Sequence, residues 1–160
     1  MFRDINGNKF KTRWISEFCG FMWGEGYVGI VRYEKKGKPF YRGQVSIQLR
    51  EDDLSILEEI KSKLGGHIWK ASPERKLGDY TCHQTYGWIC TNKEELMRIV
   101  KVLDKGSFPS KKRKNIKLLK KYLNISKRIR NNNEIKERVN DLRLGCIKAN
   151  SYSMSQQVTV

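Results

Sequence analysis

From Tyr41 to Arg50 the chain alternates: Tyr41, Val45, Ile47 and Leu49 fall on one side, and Arg42, Gln44, Ser46, Gln48 and Arg50 on the other. A repeat of two with one apolar side marks a strand that is buried on one face only. Such a strand needs partners on its edges and a packed layer over its apolar face, which dictates a sheet covered on one side. Its uncovered side carries hydrogen-bonding groups, including two arginines, and no carboxylate.

The flanking segments supply the partners and the layer. Tyr27 to Glu34 reads as the neighbouring strand, joined through Lys35-Lys36-Gly37-Lys38 as a hairpin turn. Before it, residues 12–23 place Trp14, Ile15, Phe18, Phe21 and Met22 at helical spacing, and Gly24-Glu25-Gly26 ends that helix. Asp52 or Asp53 caps a second helix running to about Leu64, with Leu54, Leu57, Ile60 and Leu64 as its apolar stripe. Residues 67–72 and about 79–91 form a second hairpin around Pro73 to Gly78. A helix from about Asn92 to Leu103 follows, then a loop at Gly106 to Pro109 and an intensely basic helix from Lys111 to Asn124. Arg130 to Asn133 breaks it, and a last helix spans about Glu134 to Leu144. Paired strands separated by helices imply an α+β fold with helices on one face of an antiparallel sheet. We expect one domain over residues 1–145, its core at about 12–123 and its C-terminal helices at about 111–145, with 146–160 as a tail of little structural signal.

Lysine and arginine number 33 against 17 aspartates and glutamates, a net charge of +16 on 160 residues. Such a surplus repels itself unless a polyanion neutralises it, which points to nucleic acid. Charge alone does not choose DNA over RNA. No basic amphipathic helix with a Trp/Phe face stands out, against a membrane-surface role. No apolar stretch approaches the roughly 20 residues of a membrane span, and the N-terminus shows no secretory apolar region, so an intracellular protein is expected. Cys19, Cys82, Cys90 and Cys146 form no C-x-x-C pair and read as reduced thiols. A zinc site from His67, Cys82, His83 and Cys90 lacks the paired spacing of zinc fingers.

The run Phe18-Cys19-Gly20-Phe21-Met22-Trp23-Gly24-Glu25-Gly26-Tyr27-Val28 resembles the motif of the LAGLIDADG homing endonucleases. Gly20 and Gly26 fall on its two glycines, Glu25 on its second acidic position and Gly24 on the small residue before it. The element order downstream matches the family too, over roughly residues 12–123. Trp23 departs from the pattern, at a position where many members carry an acid in a structural role. The resemblance implies an αββαββα fold with a four-stranded saddle-shaped sheet in each subunit. Gly20 and Gly24 lie four apart on one helix face, where small residues let a second helix approach. No second copy of the motif occurs in the sequence. One motif implies a homodimer joined through Phe18, Gly20, Phe21, Trp23 and Gly24.

The family also implies a chemistry. Glu25, with the carbonyl of Gly24, would hold Mg2+, or Ca2+ or Mn2+ in its place. A lysine near the start of the helix after the second αββ unit would assist, with Lys111 as first choice and Lys112 as second. Gln48 and Arg50 would organise water near the site or contact DNA. The ladder Arg42, Gln44, Ser46, Gln48 and Arg50 would read the major groove, with Tyr27, Gly29, Val31 and Tyr33 beside it. Lys70, Ser72, Arg75, Lys76, Tyr80, Gln84 and Tyr86 are candidates on the second hairpin, and Lys112 and Lys114 on the basic helix, whose charge suits phosphates. The expected activity is metal-dependent cleavage of both strands of a long, roughly palindromic DNA target, by an enzyme encoded within an intron or intein-like element. The alternatives are a non-cleaving maturase or regulator on the same fold, and an unrelated basic RNA-binding protein.

Overall fold

The computed structural model describes residues 3–125 and 133–151, with side chains of the last helix described for residues 137–147. Helix α1 (Thr12–Gly24) leads into strands β1 (Gly26–Lys35) and β2 (Lys38–Arg50), then α2 (Leu54–Leu64). Strands β3 (His67–Ser72), β4 (Arg75–Leu77), β5 (Tyr80–Cys82) and β6 (Thr85–Cys90) follow, and then α3 (Lys93–Leu103), α4 (Ser110–Asn124) and α5 (Asn133–Ser151). The α+β class and the αββαββα order expected from the sequence are present.

The main sheet has strand order β1-β2-β6-β3, every neighbouring pair antiparallel. Lys35 pairs with Lys38, leaving Lys36 (φ 51°) and Gly37 (φ 72°) as a two-residue turn. Positive φ at both residues gives the turn whose twist matches the strands it joins. The second hairpin ends its first strand before Pro73 as expected, but the strand expected over 79–91 breaks at His83-Gln84, and part of the expected turn forms β4, which pairs with β5 as a separate two-stranded ribbon. Pro73 has no N–H to donate, which ends β3 there.

One face of the main sheet buries Val28, Ile30, Val45, Ile47, Leu49, Trp88 and Cys90 against the helices. Trp14, Phe18 and Met22 of α1 meet them, with Phe18 edge-on to Trp88 at 6.3 Å. The buried indole N–H of Trp88 donates to the carbonyl of Gly65 at 2.8 Å, so a large apolar group enters the core with its polar atom paired. Helix α4 packs under β1 and β2 with Ile116, Leu119 and Leu123, and Tyr122 Oη donates to the Tyr41 carbonyl at 2.8 Å. Strand β1 lies at the sheet edge, where α4 and α5 pack against it.

Some local expectations differ from the structure. Asp53 stands at the start of α2 but makes no side-chain cap; Glu51–Asp53 form a 3-10 turn instead. At α3, by contrast, Asn92 Oδ1 accepts from the N–H groups of Glu94 and Glu95. The last helix runs past Leu144 to Ser151 and buries Cys146, because α4 and β1 offer it a surface. Of the break expected at Arg130 to Asn133, Asn133 instead begins α5, while residues 130–132 and the tail residues 152–160 lie outside the described residues. No helix among the described residues is long and apolar enough to cross a membrane.

Candidate functional site

The end of α1 is where two long-range features meet. A helix leaves its last carbonyls without partners inside the helix. Lys112, in the first turn of α4, donates its Nζ to two of them, Met22 at 2.6 Å and Trp23 at 2.7 Å. A cation at this end also suits the negative pole of the helix dipole. Burial lowers the pKa of Lys112 below the ordinary lysine value, while the negative charge of Glu25 pulls it back up. Glu25 caps α1, its N–H donating to the Phe21 carbonyl at 2.9 Å. Its exposed carboxylate forms no ion pair among the described residues.

Trp23, Gly24, Glu25, Gly26, Tyr27, Lys111 and Lys112 line one open cleft of about 440 Å³, floored by Val28, Pro109 and Asn115. The sequence ranked Lys111 ahead of Lys112. Both reach the cleft, but it is Lys112 that ties to the helix end beside Glu25. An anionic oxygen and an ammonium facing one open cleft can hold a hard cation and balance a phosphate.

The glycines of the motif divide into two kinds. A Cβ on Gly26 would stand 2.6 Å from Met22 Cα and 2.7 Å from its carbonyl oxygen, so the chain's own turn requires glycine there. A Cβ on Gly20 or Gly24 would meet nothing within 4 Å. Those two open onto solvent beside Trp23, which is 56% exposed. Phe21 is half-buried next to them. Phe18 does not belong to this face: it is 2% exposed and stacks on Trp14 at 5.4 Å, because positions 14, 18 and 22 share the inward side of the helix.

The uncovered sheet face is assembled by register. Tyr27 pairs with Ser46, Gly29 with Gln44 and Val31 with Arg42, so the β1 residues expected beside the ladder share its face. Gln48 stands one residue past Ile47, the partner of Gly26, which brings it toward the Glu25 end of the sheet. Arg50 forms an ion pair with Asp52 at 3.0 Å. Two candidates do not join: Lys70 pairs with Tyr86, and Tyr86 with Leu49, on the helix-covered side. The bulge after Lys70 brings Ser72 opposite Thr85, itself opposite Arg50, so Ser72 does join. Gln84 donates to Tyr86 Oη at 2.7 Å. Arg75, Lys76 and Tyr80 lie exposed on the β4–β5 ribbon.

Sequence reasoning missed Phe40 and Thr85. Arg42 lies over the rings of Tyr33 and Phe40 at 5.7 and 5.6 Å, and Gln48 Nε2 donates to Thr85 Oγ1 at 2.8 Å. The alternation that identified the ladder continues through Phe40. Thr85 needs the β2–β6 register, which no local pattern supplies. On α4, Arg113, Lys114 and Lys117 line a shallow groove with Phe108 and Ser110.

His67, Cys82, His83 and Cys90 form no cluster. Cys90 is buried and donates to Glu95 Oε2 at 3.3 Å, whereas Cys82 is exposed on the ribbon. His83 instead lies with Glu51 and Glu74, one ligand atom of each within 4.8 Å of the others, all exposed at the root of the ribbon.

Comparison with known proteins gives a family and a fold. The family model described as LAGLIDADG endonuclease matches residues 18–123. A protein of Dictyostelium citrinum described as a probable intron-encoded endonuclease aI3 is 24% identical over 113 residues, 71% of this chain and 42% of that protein. The chain thus spans less than half the length of that relative. Among solved structures, I-SmaMI bound to an uncleaved DNA target in the presence of calcium ions has a TM-score of 0.66 at 22% identity, covering 88% of this chain and 46% of that one. I-TnaI, a homing endonuclease, has a TM-score of 0.68 at 15% identity, covering 92% of this chain and 98% of its own.

Proposed function

The chain belongs to the LAGLIDADG endonuclease family, and from that premise we propose that it is a site-specific endonuclease that cuts double-stranded DNA as a homodimer. The observation that carries this reading is Lys112 tied to the end of α1 in the cleft that Glu25 also lines.

The donor set fits a hard divalent cation: the Glu25 carboxylate and the Gly24 carbonyl are both oxygen ligands, suited to Mg2+ or to Ca2+ or Mn2+ in its place. Such a cation supplies positive charge at the scissile phosphate and acidifies bound water. The chain's own contribution is positional. The Lys112 ammonium has three donors, and two are committed to carbonyls of α1. The third is left for a phosphate oxygen, where it offsets the negative charge that builds during hydrolysis. Because two bonds hold the nitrogen, little reorganisation is needed when that charge appears.

The open notch at Gly20 and Gly24, with Trp23 exposed beside it, suits a second helix packed against α1. An identical helix would bring two Glu25 carboxylates together near a two-fold axis, one for each DNA strand. The ladder of β2 would then lie in the major groove and the lysines of α4 along the backbone. A long, roughly palindromic target cut near its centre follows, and an origin within an intron or intein-like element is what membership of the family implies.

The test begins by selecting cleaved sites from a random duplex library in Mg2+. Native protein should cut the selected duplex on both strands and stop in chelator. Glu25→Gln should bind the same duplex and leave it whole. Equal cutting by Glu25→Gln, or the absence of any cut duplex, would overturn the reading.

A further inference from the structure

Arginine is an unambiguous reader of DNA, since it only donates. Glutamine is not: its amide oxygen accepts and its nitrogen donates, so it can match either kind of base edge. Two glutamines, Gln44 and Gln48, stand in the ladder of β2, and the fold treats them differently.

Tyr33 Oη donates to Gln44 Oε1 at 3.0 Å, and Gln44 Nε2 donates onward to Ser46 Oγ at 3.4 Å. One of the two lone pairs of the Gln44 oxygen is thus engaged within the protein, which leaves the other and one N–H for the groove. At Gln48 the arrangement is reversed. Its Nε2 donates to Thr85 Oγ1 at 2.8 Å, and Thr85 shares a hydrogen bond with Ser72 Oγ at 2.8 Å. Gln48 keeps its oxygen and one N–H free. Tyr33 carries a second task. Its ring stacks on Phe40 at 5.3 Å, and Arg42 lies over both rings, which holds the guanidinium before any ligand arrives.

We propose that Tyr33 and Thr85 are specificity-determining positioning residues: Tyr33 holds the amide of Gln44 through its oxygen and Thr85 holds that of Gln48 through its nitrogen, so that each glutamine presents an acceptor and a donor to the groove in a fixed orientation. This rests on the proposed reading that this face meets the major groove of duplex DNA. Arg42 demands an acceptor edge, which guanine presents at O6 and N7. Gln44 and Gln48 each suit adenine, whose N6 donates and whose N7 accepts in one plane. The orientation in which each glutamine meets the groove is not encoded in its identity; it is set by a neighbour from another part of the sheet.

The experiment compares base-preference profiles of native protein, Tyr33→Phe and Thr85→Val, by binding selection from a random duplex library. Phenylalanine keeps the ring that supports Arg42, and valine keeps the shape of threonine, so each change removes one hydroxyl. Tyr33→Phe should relax preference at one base pair, by about tenfold for a lost discrimination of this kind. Thr85→Val should relax a different base pair by a similar factor. Gln44→Met and Gln48→Met locate those two base pairs independently and should coincide with them. Unchanged profiles in both hydroxyl variants, or an even loss of preference at every position, would overturn the proposal and leave the DNA-reading face intact. If native protein enriches no duplex sequence, the proposal and the reading beneath it fall together.

Discussion

Lys112 Nζ lies 2.7 Å from the carbonyl oxygen of Trp23, so the first turn of α4 closes the last turn of α1. The contact links segments separated by 89 residues and sets a positive charge beside the only acid of the motif. It also separates Lys112 from its neighbours in a run of four basic residues.

Lys112→Met should therefore lower single-turnover cleavage by about a hundredfold or more, on the scale seen when one donor to a developing negative charge is removed. Lys111→Ala should cost less than about tenfold on that same scale. Circular dichroism should show both variants folded. Equal losses at the two positions would remove the distinction between them.

The same burial gives Lys112 a pH signature. Its folded-state pKa lies below 10.5, chiefly through desolvation. Between that lowered value and 10.5 the unfolded chain binds more protons than the native one, so this lysine's contribution to stability rises with pH and is least favourable below the folded pKa. Denaturant midpoints of native protein minus those of Lys112→Met should increase from neutral pH toward 10.5. A flat or falling difference would contradict the burial.

The motif glycines should respond in opposite ways. Gly26→Ala puts a Cβ 2.6 Å from the Met22 backbone and should destabilise the fold by about 1–3 kcal/mol, measured by chemical denaturation. Gly20→Ala meets open space within the chain and should raise helix stability by up to about 1 kcal/mol. Gly20→Leu should leave the subunit folded but shift sedimentation from dimer to monomer and abolish cleavage of both strands.

Of four cysteines, three are buried. Burial pushes the thiols of Cys19 and Cys146 up to about 11 and that of Cys90 to about 12, so at neutral pH they stay protonated. A thiol reagent should label native protein at Cys82 alone and all four after denaturation. Rapid native labelling of Cys146 would contradict the packing of α5 on β1.

DNA affinity should fall steeply with salt, by about a thousandfold or more between roughly 50 and 200 mM if six or more phosphates are contacted. Lys114→Ala and Lys117→Ala should each weaken binding evenly across sequences and reduce the salt slope by about one. A change confined to one base pair would instead make that lysine a base reader.

Much of this was open to reading before any tertiary structure. Period-two alternation in residues 41–50 and helical spacing in residues 12–23 reflect which side of each element meets the core, and that side is written locally. The ladder and the inward stripes of α1 to α3 followed from it, and the family motif is a resemblance carried by the single run Phe18 to Val28. The resemblance places Phe18 at a subunit contact, whereas its own spacing from Trp14 and Met22 turns it inward. Lys70 and Tyr86 lie on the helix-covered side, which only the register of β3 and β6 reveals. The expected turn from Pro73 to Gly78 contains β4, the strand expected over 79–91 breaks at His83-Gln84, and α5 is longer because α4 and β1 receive it.

What the sequence by itself determined is the alternation, the glycine-notched helix ending in an acid, and the excess of positive charge. These properties reside within single segments or in the total composition. Only the tertiary structure decided that Lys112 closes α1, that Thr85 and Tyr33 orient the two glutamines, and that Gly26 serves the turn while Gly20 and Gly24 face outward. Each of those depends on strand register or on packing between segments tens of residues apart, and backbone geometry within one segment carries no record of which distant side chain will meet it.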